Sequence, residues 1–311
     1  MPKIADSIRA QLKKFKSQKV VDFQGLKEAK EFAEQVEFPT PEETAGLDPA
    51  HGLYIHVFNT IMAMFEQFAP LPEIGPFYDI IEKADDVYMP KGPPWSPLTG
   101  SFFNSWSILD LRVGKDKETF ANVVLNLTAE LKLDLDMKRV LQLLADSRMG
   151  LYKYLGAQGE YLRFKELLTN KEVIAFTPLS FRGKSGDLWY MRLLPPLVDG
   201  SYGVIFTTPY VISANEEAGW YECFKRNLTG LDSDTDKAIH AYFKFGRSLH
   251  YWNEYVFESY YGDEPEAIYL TGFPDVPLSR PHSKETERAS KLATRPKGKA
   301  ASVQDSRLEF T

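Results

Sequence analysis

The sequence predicts an α+β fold: a helical N-terminal part, a four-stranded antiparallel β-meander, C-terminal helices and a disordered basic tail. Three observations predict it. Apolar residues recur at helical spacing through the first half of the chain, the period drops from 3.6 to 2 at Gly159, and helical spacing returns after Glu216. This organisation gives a mainly helical region over 1–158 with a proline- and aromatic-rich loop at 87–106. A meander with two helices follows over 159–265, then an irregular segment and basic tail over 266–311.

The elements follow in order. Ile4, Ile8, Leu12 and Phe15 share one helical stripe with lysines opposite. A short helix over 26–36 stops at Pro39 and Pro41. Asp48-Pro49 is a helix start, because an aspartate N-cap accepts the first free amides and proline suits the first turn. That helix runs through Tyr54, Val57, Phe58, Ile61 and Phe65, and another covers 77–86. In the loop after it, Trp95 and Trp106 are expected to tuck onto the helical front. Residues 107–113 alternate like a strand, and 119–131 and 137–155 read as helices. Four β-branched or aromatic runs at 161–168, 173–181, 188–194 and 203–212 are joined by short turns, the mark of a meander. Helices are expected over 216–227 and 236–261.

Composition narrows the class. With 43% apolar and 26% charged residues, the 311-residue chain is neither collagen-like nor wholly disordered. A single cysteine, Cys223, rules out a disulfide scaffold. The N-terminus carries Lys3, Asp6 and Arg9 where a secretory signal needs an apolar block, so the expected location is cytoplasmic. The net charge of −6 hides basic ends: residues 1–19 carry +5, residues 280–311 carry +4, and the remainder carries −15. Such a body repels phosphate, which argues against a nucleic-acid-binding core.

The chemical-looking motifs reduce to simpler ones. Gly183-Lys184-Ser185 has Pro178 where a phosphate loop needs glycine and lies between strands, so it reads as a hairpin turn. Asp232-Ser233-Asp234-Thr235-Asp236 lacks the glycine and glutamate of a calcium loop and reads as a helix start. Lys91-Gly92-Pro93-Pro94-Trp95-Ser96-Pro97 has polyproline-ligand spacing. His56, Asn59 and Glu66 share a helix face that can bind a ligand or handle a proton. His250 and Asn253 stand on an expected stripe with Phe243, Gly246 and Phe257, where apolar residues belong, while His240, Lys244 and Arg247 form a solvated cationic face.

The residues therefore favour a cytoplasmic, non-enzymatic binding or regulatory protein that works through protein–protein contacts, with another protein or a second copy as partner. No cofactor, metal or membrane is implied, and the basic termini suit an anionic partner. One alternative is a metal-dependent hydrolase drawing on His56, Glu66, His250 or Asn253, with Asp85 and Asp86 nearby. Another is a nucleic-acid accessory factor that uses its basic terminal arms.

Overall fold

A computed structural model describes residues 3–17, 46–91, 95–197, 200–228 and 235–274. They fall into two compact units: Met1–Ile81 with Ser105–Asp146, and Glu82–Asn104 with Ser147–Thr311. The helix expected over 26–36 and the tail from Leu278 onward lie outside the described residues.

The first unit is helical. Its α1 (Ile4–Ser17) is tied down by Arg9, which bonds Glu130 at 2.7 Å and the Asn126 carbonyl. Asp48 caps α2 (Pro49–Gln67) as its sequence implies, accepting from the amides of Ala50 and His51 at 3.0 Å. Next come α3 (Gly75–Tyr88), which runs on into the second unit, and α4 (Gly100–Ser105). Residues 106–110 then depart from the expected strand: Trp106–Asp110 form one turn of π-helix with every residue buried. Their alternation was misleading because apolar positions surrounded on all sides carry no readable period. The predicted helix over 119–131 is two short ones, α5 (Phe120–Asn126) and α6 (Thr128–Leu131), with Thr119 accepting from Asn122. Phe65, Phe77 and Phe120 meet edge-to-face with centroids 4.8–6.2 Å apart.

The expected helix over 137–155 ends early. Helix α7 (Leu135–Asp146) stops and β1 (Met149–Gln158) begins. Residues 149–155 are fully or partly buried as a strand, so their continuous apolar run mimicked a helix. The remaining strands are β2 (Tyr161–Glu166), β3 (Glu172–Phe176), β4 (Leu188–Leu194), β5 (Gly203–Ile205) and β6 (Tyr210–Ile212).

These strands are not a four-stranded meander. β1 pairs with both β2 and β4, β3 lies parallel to β5, and β5 pairs with β4, so five strands close into a barrel. The predicted strand over 203–212 is split: β5 completes the barrel, while β6 joins the other side of β4. Tyr154, Phe164, Trp189 and Met191 fill the core. Closure removes the sheet edges a meander would leave open.

The predicted single helix over 236–261 is also broken. It comprises α9 (Thr235–Phe245) and α10 (Tyr251–Ser259), and α8 (Glu217–Leu228) precedes them. Gly246 lies between them at φ +63°, the left-handed position that ends helices. A Cβ there would come within 2.6 Å of Tyr251. The chain then forms β7 (Tyr260–Glu264) and β8 (Ala267–Leu270), a hairpin where the sequence suggested irregular chain. β8 pairs in parallel with β6, extending the sheet beyond the barrel. Aromatic side chains of α9 and α10 cover the outer side of β4, where Tyr190 meets Phe243, Trp252 and Tyr255 at 5.1–6.5 Å. Among the described residues, no helix is long and apolar enough to cross a membrane.

Candidate functional site

The residues singled out from sequence fall in separate places. His56 and Glu66 belong to the first unit, His250 and Asn253 to the second. On α2, His56 and Asn59 are half-buried and Glu66 is exposed. His250 is the residue before α10 rather than a position inside a long helix, so Phe243 and Gly246 do not share its stripe. The stripe of 250, 253 and 257 does exist, and the Tyr88 ring packs against it, 5.9 Å from the His250 ring and 5.8 Å from Phe257. Asn253 lies on that stripe, fully buried, with neither side-chain amide atom hydrogen-bonded. Asp85 is half-buried, and burial together with neighbouring Asp86 holds its carboxyl above the ordinary value. Among the described residues, no group of three or more His, Cys, Asp or Glu could hold a metal ion.

Two expectations about exposure are reversed. Trp95 is 71% exposed rather than tucked away, while Trp106 is buried. Lys244 is buried and donates to the Ser147 carbonyl at 2.7 Å instead of facing water. Ser147 also receives Arg192, a fully buried guanidinium on β4, at 2.8 Å through its hydroxyl. Next to it, Arg148 bonds Glu166 at 2.6 Å and lies over the Phe243 ring. These buried charges end in hydrogen bonds to structural partners, which fixes the entry to β1 against α9. Sequence reasoning missed them because Arg192 sits within an apolar strand pattern and Lys244 ends a helix, where lysine is ordinary.

The open side of the sheet is the β7–β8 hairpin. Pro265 and Glu266 form its turn, with Glu266 at φ +66° where a type II turn normally uses glycine. The Glu266 side chain compensates. Its carboxylate accepts from the Ser180 amide at 2.5 Å, the Ser180 hydroxyl at 2.6 Å and the Phe181 amide at 3.0 Å. Burial works against its charge, yet these bonds and Arg182 hold its pKa below the ordinary value. The hairpin is thereby pinned to the loop after β3.

On this hairpin the Tyr261 and Tyr269 rings lie 6.0 Å apart. Burial and a hydrogen bond with Glu264 push the Tyr269 hydroxyl up to about 12, with Tyr261 and Asp187 adding to it. Tyr260 donates to Asp263 at 2.5 Å. Tyr261 occupies the bulge in the β7–β8 register and is 52% exposed. Among the described residues, β7 pairs only with β8.

Compared with known proteins, the chain matches no family model, no curated protein and no solved structure. The chemistry of the surface therefore has to speak for itself. An edge strand presents unpaired amides and carbonyls that suit a further strand. The exposed tyrosine offers a ring face to a cation, and Glu264 and Asp187 act on its neighbour Tyr269.

Proposed function

We propose that this protein is a non-enzymatic binding module whose partner is another protein, and that the partner lays a basic, extended segment along β7. The open β7 edge, with exposed Tyr261 among acidic side chains, supports this reading. The hairpin's charge selects between the two partners considered from sequence. A second copy of this chain would bring a second acidic edge, and like charges facing across a strand pair are destabilising. Asp263 and Glu264 lie on opposite faces of β7, so a partner with lysine or arginine at alternate strand positions meets one of these carboxylates along one face. A cation over the Tyr261 ring adds about 0.5–1 kcal/mol at an exposed site. The nucleic-acid alternative rests on the termini, most of whose basic side chains lie outside the described residues.

Fluorescence polarisation with a labelled peptide of alternating lysine and valine tests the reading. Binding should weaken as salt rises and fall at least about tenfold in the double variant Asp263→Lys/Glu264→Lys, a difference of about 1.4 kcal/mol. Tyr261→Ala should weaken it further. A peptide of alternating glutamate and valine that binds equally well would overturn the proposal.

A further inference from the structure

The proposed partner strand has a counterpart in this chain's own sequence. Arg295, Lys297 and Lys299, outside the described residues, stand at alternate positions. Nowhere else in the 311 residues do three basic residues follow one another at i, i+2 and i+4. In an extended segment that spacing puts all three side chains on one face. Arg295 precedes Pro296, and the residue before a proline is steered out of helical backbone into the extended region. The N-terminal basic stretch is committed to a helix instead, since Arg9, Lys13, Lys14 and Lys16 belong to α1.

The intervening residues suit an outermost strand. Amides of successive strand residues point to opposite edges, so Arg295, Lys297 and Lys299 turn theirs to a neighbouring strand while Pro296 and Gly298 face away. Proline lacks an N–H and is tolerated at that outward position, where it also stops a further strand from adding. The β7 edge has room for such a strand. Tyr261, Asp263 and Glu264 are exposed, and a Cβ on Gly262, at mid-strand, would meet nothing within 4 Å.

The chain leaves β8 close to that edge. Leu270 ends β8 opposite Tyr260, the Thr271 amide donates to the Ser259 carbonyl at 2.9 Å, and the Tyr251 hydroxyl donates to the Pro274 carbonyl. Tyr251 opens α10, and α10 leads directly into β7. At about 1.5 Å per helical residue and 3.3 Å per strand residue, with the tyrosine side chain included, the far end of β7 lies within about 40 Å of Pro274. Residues 275–294 are 20 links that span about 66 Å when extended, so 295–299 reach the edge within one molecule. A tether of that length sets an effective concentration of about a millimolar.

We infer that residues 295–299 lie along β7 as an added strand of the same molecule, and that a basic partner binds only by displacing them. This placement rests on the reading of β7 as an edge that accepts a basic extended segment. Main-chain pairing holds the segment, and its three cations run along the face of one β7 carboxylate. The chain's own tail thereby covers the open edge and sets a threshold for any partner.

Two measurements on the full chain test this. Zero-length carbodiimide coupling followed by peptide mass spectrometry should join Lys297 or Lys299 to Asp263 or Glu264 within monomers, in a yield unchanged on dilution. In fluorescence polarisation, the labelled lysine–valine peptide should bind Arg295→Ser/Lys297→Ser/Lys299→Ser at least about tenfold more tightly than the parent, because the segment no longer competes. Lys284→Ser/Arg288→Ser/Lys291→Ser removes the same charge without the alternation and should leave affinity within about twofold of the parent. Cross-links confined to dimers, or spread equally over other exposed carboxylates, would overturn the inference. Equal peptide affinity for parent and first variant, or an equal gain in both variants, would also overturn it. A peptide that binds none of the three proteins overturns the reading of β7 as a partner site, and the cross-links then decide the inference alone.

Discussion

At the scale of single residues, Asn253 is the sharpest departure from ordinary packing. A buried amide with no partner costs about 1–3 kcal/mol relative to an apolar group of similar shape. Asn253→Leu should therefore stabilise the protein by about 1–2 kcal/mol, read as a higher denaturant midpoint with an unchanged slope. A loss of stability would show that the amide is bonded through water. The sequence did flag this position, since an amide on an otherwise apolar stripe is conspicuous. It gave no sign that neighbouring His250 stands at a helix start, because that depends on where the long apolar pattern breaks.

Elements turn on the backbone positions that join them. At Gly246, any side chain pays the left-handed penalty of about 1–2 kcal/mol and also meets Tyr251. Gly246→Ala should cost about 2–3 kcal/mol in thermal or denaturant unfolding, and a smaller effect at Arg247→Ala would serve as the control. The hairpin turn carries the opposite arrangement, a strained glutamate held for its side chain. The Glu266 carboxyl is held below its ordinary value of 4.5, so its contribution is complete above that pH and disappears as pH falls through the native value. Glu266→Gly relieves the backbone but forfeits the grip on Ser180 and Phe181. The variant should be less stable than the parent at neutral pH, and the gap should close in acid melts. A gap independent of pH would show that the charge contributes nothing there.

For the whole molecule, the aromatic content that stands out in the composition becomes a titration signature. Burial is the leading cause that raises the phenols of Tyr54, Tyr152, Tyr210, Tyr242 and Tyr255 above their ordinary value of 10.0. The native state keeps these protons where the unfolded chain would release them. Their contribution is therefore full below about pH 10 and is lost as pH rises beyond it. Phenolate absorbance from these five rings should rise late and cooperatively, together with loss of helical circular dichroism. A single smooth titration with the fold intact would contradict the burial of these rings.

By itself the sequence determined what local physics specifies: the α+β class, the Asp48 cap, the helical stripe of α2 and the acidic body between basic ends. Each depends on spacing or on capping within a few residues. The hairpin reading of Gly183-Lys184-Ser185 failed, since the strands on either side of that turn, β3 and β4, do not pair with each other. Tertiary structure decided the rest. Strands buried on both faces, such as β4, lose their alternation, so neither the closure of β1 onto β4 nor the parting of β5 from β6 had a periodic signal. The contact that holds Glu118 joins residues more than a hundred positions apart, since Ile4 supplies the amide from which one of its oxygens accepts. Pairings at that separation follow from which surfaces meet when the chain collapses, and no window along the sequence contains both partners.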